Sequence, residues 1–77
     1  MEKQQDSRLK KSELFRRIAQ ARTNRLLNNL RLLGNTANRN TYYYSDEQVD
    51  KIFQTIESRV LEIKGRFKRS KESKFEL

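Results

Sequence analysis

The clearest pattern in the chain is a run of apolar residues spaced alternately four and three residues apart. This spacing keeps the apolar side chains on one side of an α-helix, and it is typical of helices that pack in pairs. The pattern predicts a helix over residues 46–67 with a single apolar seam. The seam consists of Val49, Phe53, Ile56, Val60, Ile63 and Phe67.

The start of this second helix has its own signals. Ser45 and Gln48 have the spacing of a capping box, in which each side chain bonds the backbone N–H of the other residue. Tyr44 and Val49 occupy the positions of a hydrophobic staple across the same turn. Gly65 is the weak point of the pattern, so the sequence allows the helix to end near residue 64 or to continue to about 69.

An earlier segment has a less regular apolar stripe, which predicts a first helix over 8–33. Gly34 follows the last apolar residue, where a glycine in the left-handed conformation commonly ends a helix. The strict heptad path through this segment includes two polar residues, Arg22 and Asn29. The stripe consists of Phe15, Ile18, Ala19, Leu26, Leu30 and Leu33.

A second, poorer stripe lies roughly 100° around the first helix and contains Leu14, Ala21 and Leu32. One partner helix cannot cover both stripes, so these three residues are a possible protein interface with another subunit or another protein. The alternative is that they are scattered surface apolar residues, which are common.

The remaining segments are polar. Residues 34–45 form a loop between the helices, and the closely spaced Asn residues within it favour turns in which an Asn side chain bonds the backbone. Of the three tyrosines at 42–44, we expect two to pack against the protein. Stacking on nucleic-acid bases is the alternative. We expect flexible ends at residues 1–7 and in a basic tail at 68–77.

These elements predict an all-α protein whose domain, residues 8–67, is an antiparallel helical hairpin of two long helices. A short N-terminal third helix is the alternative arrangement. Because a hairpin this small has a thin core, we expect self-association to complete it.

The charge of the chain is concentrated in the first helix. The protein has a formal net charge of +8. Residues 8–33 hold eight Lys and Arg residues and a single Glu, so this segment alone has a formal charge of +7. Such a density of one sign indicates a polyanionic partner, although solvation of exposed helix faces is the simpler alternative.

Helical periodicity places some of these basic residues opposite the main apolar stripe, together with asparagines. Arg and Asn side chains match the edges of guanine and adenine, and flanking basic side chains reach phosphates. We therefore expect a surface that binds DNA or RNA. Its residues on the first helix are Lys10, Lys11, Arg16, Arg17, Asn24, Arg25, Asn28 and Arg31, and those in the tail are Lys68 and Arg69.

Composition excludes several functions. The chain of 77 residues has no Cys and no His, so thiolate and histidine catalysis have no residues to perform them. We find no catalytic constellation, metal site or cofactor motif, and therefore expect no enzyme. We also expect no membrane-spanning or secretory segment, and hence a cytoplasmic protein.

The sequence therefore favours a small, non-enzymatic accessory protein that binds nucleic acid and forms a homo-oligomer. In general character it resembles accessory proteins of bacterial plasmids and phages. The alternative is an inhibitor or assembly factor, such as an anti-defence protein, that docks on a nucleoprotein enzyme through a protein interface.

Overall fold

The computed structural model describes the backbone of residues 2–72 and the side chains of residues 7–70. This part of the chain contains two α-helices, α1 (Glu2–Gly34) and α2 (Asp46–Glu72), and no strand. The all-α class is therefore confirmed. A separate third helix is not present in the described range, because the residues from Glu2 onward belong to α1. Met1 and residues 73–77 of the predicted tail lie outside the described residues.

Helix α1 begins six residues before the predicted start at residue 8. The segment that precedes residue 8 has neither Gly nor Pro, the two residues that most strongly oppose a helix. Nothing in residues 2–7 therefore interrupts the helix, and α1 begins at Glu2.

The end of α1 differs from the prediction at Gly34. This residue is the last residue of the helix and does not have a positive φ, so the left-handed cap was wrong. The helix ends instead in tight turns: the N–H of Asn35 bonds the carbonyl oxygens of Arg31 and Leu32, both at 3.1 Å. The hydroxyl of Thr36 donates to the carbonyl of Leu33 at 2.6 Å. Because these bonds satisfy the terminal carbonyls, the left-handed conformation is not needed.

The connector between the helices is organised by Asn38. Its side-chain Oδ1 accepts a hydrogen bond from the N–H of Asn40 at 3.0 Å. Its backbone carbonyl accepts from the N–H groups of Thr41 and Tyr42 at 3.0 and 2.8 Å. The predicted Asn-based turn is confirmed, and it gives the connector a defined backbone without glycine or proline.

The predicted start of α2 is confirmed. The N–H of Gln48 donates to Ser45 Oγ at 3.1 Å, and the N–H of Ser45 donates to Gln48 Oε1 at 2.8 Å. Tyr44 and Val49, the two staple residues, are both half-buried although most of the described side chains are exposed. The chain therefore enters α2 in one fixed conformation.

Helix α2 continues through Gly65 to Glu72. The helix thus includes residues 68–72, which the prediction assigned to the basic tail. A Cβ atom at Gly65 would lie 3.2 Å from Nη1 of Arg69, so the Arg69 side chain folds back over the glycine one turn earlier. This contact, together with good helix formers on both sides, explains how the helix passes a weak position.

The chain divides near Tyr42 and Tyr43 into two units, each built on one helix. No side chain among residues 7–70 is buried. Along the α2 seam, Ile63 is 42 % exposed and Phe67 is 61 % exposed. Because exposed apolar surface contributes no hydrophobic stabilisation, the units described here do not contain the predicted core. Within the same part of the chain, neither helix combines the length and the apolarity that crossing a membrane requires.

Candidate nucleic-acid interface

Four predicted site residues form one line along α1, which we call the outer line. Lys10, Arg17, Asn24 and Arg31 are seven residues apart, nearly two helical turns. Each side chain is therefore offset from the previous one by only about 20° around the helix, and the whole line drifts by about 60°. The line extends about 32 Å along the helix axis at 1.5 Å per residue. All four side chains are exposed, so a long partner has access to the whole line.

Asn28 lies beside Arg31, the C-terminal residue of the outer line, and accepts a hydrogen bond from it. The Nη2 group of Arg31 donates a hydrogen bond to Oδ1 of Asn28 at 2.9 Å. The guanidinium has five N–H donors in a planar fork, so this bond leaves further donors for a ligand. The bond restrains an arginine side chain that would otherwise move among many rotamers.

The other basic residues of α1 do not share this line. Arg16 and Arg25 are exposed and lie at its two edges, roughly 100° to either side. Lys11 lies on the same edge as Arg25, because each follows a residue of the outer line by one position, and it is exposed as well. Helix geometry therefore brings five residues together and places three more at the edges of the line. The five are Lys10, Arg17, Asn24, Asn28 and Arg31, and the three are Lys11, Arg16 and Arg25.

Sequence reasoning missed two residues of the same surface. Glu13 and Gln20 line a shallow depression together with Lys10, Arg17 and Asn24. The period of 3.6 residues that revealed the outer line also includes these positions, so the signal was available. Glu13 adds one negative charge to an otherwise basic surface. A carboxylate there repels phosphate but can accept a hydrogen bond from cytosine.

Lys68 and Arg69 lie on α2, in the other unit, and both are exposed. Their side chains are about 100° apart around the helix, and Arg69 is folded against Gly65. These two residues therefore form no line comparable to that of α1.

The possible protein interface is also exposed. Leu14 is 46 % exposed and Leu32 is 49 % exposed, and Ala21 between them is exposed as well. They lie between the apolar stripe and the outer line of α1. This side of the helix therefore offers apolar contact area next to positive charge.

The three tyrosines of the connector differ in exposure. Tyr44 is half-buried, Tyr42 is 50 % exposed, and Tyr43 is fully exposed. Packing is therefore evident only for Tyr44 among the three. Tyr43 presents a free aromatic face beside the start of α2.

Among the described residues, no group of three or more Asp and Glu side chains is placed to hold a metal ion. The arrangement on α1 can supply positive charge and hydrogen-bond donors. Comparison of the chain with protein-family models, curated proteins and solved structures finds no match.

Proposed function

We propose that the protein is a cytoplasmic, non-enzymatic accessory protein that binds nucleic acid through the outer line of α1 and the basic residues beside it. One observation carries this proposal: between residues 8 and 33, eight Lys and Arg side chains and one Glu side chain are all exposed on a single helix. No cofactor takes part.

The physical argument rests on charge density. Like charges along one helix repel each other, and only one acidic residue in this segment offsets them. Surface ion pairs of ordinary proteins mix both signs, whereas phosphate-binding surfaces are strongly basic. A polyanion bound along α1 would relieve this repulsion and release its own counterions, which favours binding.

We further propose that α1 and α2 form an antiparallel hairpin that self-association completes. The apolar positions of α2 follow a strict alternation of four and three residues, and the same path on α1 is apolar except at Arg22 and Asn29. Burial of an apolar side chain of this size stabilises by about 1.5–3 kcal/mol. The exposed seams of the two units therefore favour pairing, and the outer line of α1 points away from the α1 stripe and stays accessible.

Salt dependence of binding tests the proposed function. Fluorescence anisotropy would measure Kd for labelled 20-base-pair duplex DNA and for an RNA stem-loop at several concentrations of NaCl. We expect Kd to rise steeply with salt, because each neutralised phosphate releases bound cations. Absence of binding to both probes at low salt, or a Kd that salt does not change, would contradict the proposal.

A second candidate function is a protein-binding inhibitor or assembly factor. The observation that favours it is the exposure of Leu14 and Leu32 beside the basic surface. Purification of a tagged protein from lysate, with and without nuclease, separates the two functions. A partner that resists nuclease and is lost in a Leu14→Ser, Leu32→Ser variant supports this candidate.

A further inference from the structure

The geometry of α1 favours one class of nucleic acid over the others. We propose that the outer line of α1 binds in the major groove of B-form duplex DNA, and that Arg31, oriented by Asn28, contacts guanine there. The inference rests on the proposed function, because it assigns a ligand class to the same surface. It follows from the shape of α1, the order of side chains on the outer line, and the bond between Asn28 and Arg31.

The first argument is the width of the groove. Helix α1 is continuous through the whole outer line, and an α-helix with its side chains is about 10–12 Å wide. The major groove of B-form DNA is about 12 Å wide and admits such a helix. The major groove of A-form RNA is deep and narrow, so side chains cannot read its bases. A continuous basic helix therefore fits duplex DNA better than duplex RNA.

The second argument is the order of side chains along the line. The line spans about 32 Å, close to the 34 Å of one DNA turn, and a straight helix cannot follow a curving groove for a whole turn. Only one part of α1 can therefore approach the base edges. The Asn24–Arg31 part has amide and guanidinium groups, and Ala21 next to it permits close approach. Lys10, at the other end, reaches phosphates.

The third argument assigns different roles to Asn28 and Arg31. An asparagine that reads adenine needs both its amide oxygen and its amide nitrogen. Oδ1 of Asn28 already accepts from Arg31, so Asn28 is not placed to read adenine in this way. Arg31 retains the fork of donors that matches O6 and N7 of guanine. Asn28 is thus a positioning residue, which acts by restricting the rotamers of Arg31.

Selection from a pool of DNA duplexes with a randomised centre tests the inference. The wild-type protein should enrich duplexes that share a guanine position and should bind them more tightly than RNA duplexes or single strands of equal length. Arg31→Ala should weaken binding to the enriched duplex by roughly 10- to 100-fold, as expected for loss of a bidentate base contact. It should also abolish the preference for guanine.

Asn28→Ala should relax the preference for guanine more than it weakens overall binding, because Arg31 remains present but is no longer oriented. Asn29→Ala is the matched control, since it removes the same side chain from the same helix outside the outer line and should leave the guanine preference unchanged. Circular dichroism of each variant establishes that α1 remains helical. A guanine preference that survives Asn28→Ala, or is lost equally in Asn29→Ala, would overturn the positioning role.

The outcomes separate the inference from the proposed function. Equal binding of DNA and RNA duplexes, or an Arg31→Ala variant that weakens binding to all sequences alike, would overturn the major-groove inference while leaving nucleic-acid binding intact. Absence of binding to any nucleic acid at low salt would overturn the proposed function itself.

Discussion

The side chains of Ser45 and Gln48 each accept a hydrogen bond from the backbone N–H of the other residue, at 3.1 and 2.8 Å respectively. This reciprocal pair satisfies two N–H groups that have no partner inside the helix. It also fixes where the connector ends and α2 begins. Asp46 and Glu47, in the first turn, place negative charge near the positive end of the helix dipole.

Replacement of the cap residue tests this relationship. Ser45→Ala should lower the free energy of unfolding by about 1 kcal/mol, because the N–H of Gln48 loses its acceptor. Thermal unfolding followed by circular dichroism measures the change. Ser58→Ala, in the middle of α2, is the control and should be neutral or slightly stabilising. Equal unfolding midpoints for Ser45→Ala and the wild type would place the start of α2 elsewhere.

Ile56 tests whether the α2 seam forms the core. It is half-buried and central in the seam. Ile56→Ala should lower stability by about 2–5 kcal/mol, the usual cost for a core isoleucine, and should therefore remove most of the helicity of so small a protein. Leu61→Ala is the matched control, because Leu61 lies off the seam and is 69 % exposed. If both variants retain wild-type helicity and midpoint, the seam does not form a core.

Substitution of Gly65 should raise stability, whereas the substitutions of Ser45 and Ile56 should lower it. Gly65→Ala should raise stability by up to about 1 kcal/mol, because glycine is the poorest helix former after proline. The added methyl group would meet the end of the Arg69 side chain at 3.2 Å, and this flexible side chain can move aside at little cost. Chemical denaturation measures the gain. A lower stability would indicate that the contact between Arg69 and Gly65 outweighs helix propensity.

Paired substitutions compare the two basic surfaces. Arg17→Ala with Arg31→Ala should leave the helix intact, since Ala is the best helix former, and should weaken binding to the preferred sequence more than to others. Lys68→Ala with Arg69→Ala removes the same charge and should weaken all sequences alike, with a salt slope reduced by about one per residue. Anisotropy titrations with two DNA sequences measure both effects. Unchanged binding in both variants would leave the nucleic-acid function without residues to perform it.

Much of the local structure could be predicted from the sequence. The capping box, the turn at Asn38 and the two helical segments each depend on groups two to four residues apart, so both partners of each bond lie in the same short stretch of sequence. The outer line of α1 was predictable for the same reason, because the helical period alone places Lys10, Arg17, Asn24 and Arg31 on one side.

Other features depend on choices between conformations of similar energy. Gly34 was compatible with a left-handed cap, and the bonds from Asn35 and Thr36 end the helix without one. The sequence also allowed α2 to end near Gly65, and the folded-back Arg69 side chain accompanies a helix that continues to Glu72. In each case the sequence allowed two conformations, and the residue pattern did not decide between them.

The sequence by itself determined the helical class, the cap of α2, and the concentration of positive charge on α1, because periodicity and short-range hydrogen bonds decide these properties. The three-dimensional structure decided where the helices end, which connector tyrosine is half-buried, and that Arg31 bonds Asn28. These depend on side-chain rotamers and backbone angles, whose alternatives differ by about 1 kcal/mol or less and are selected only once all neighbouring groups are in place.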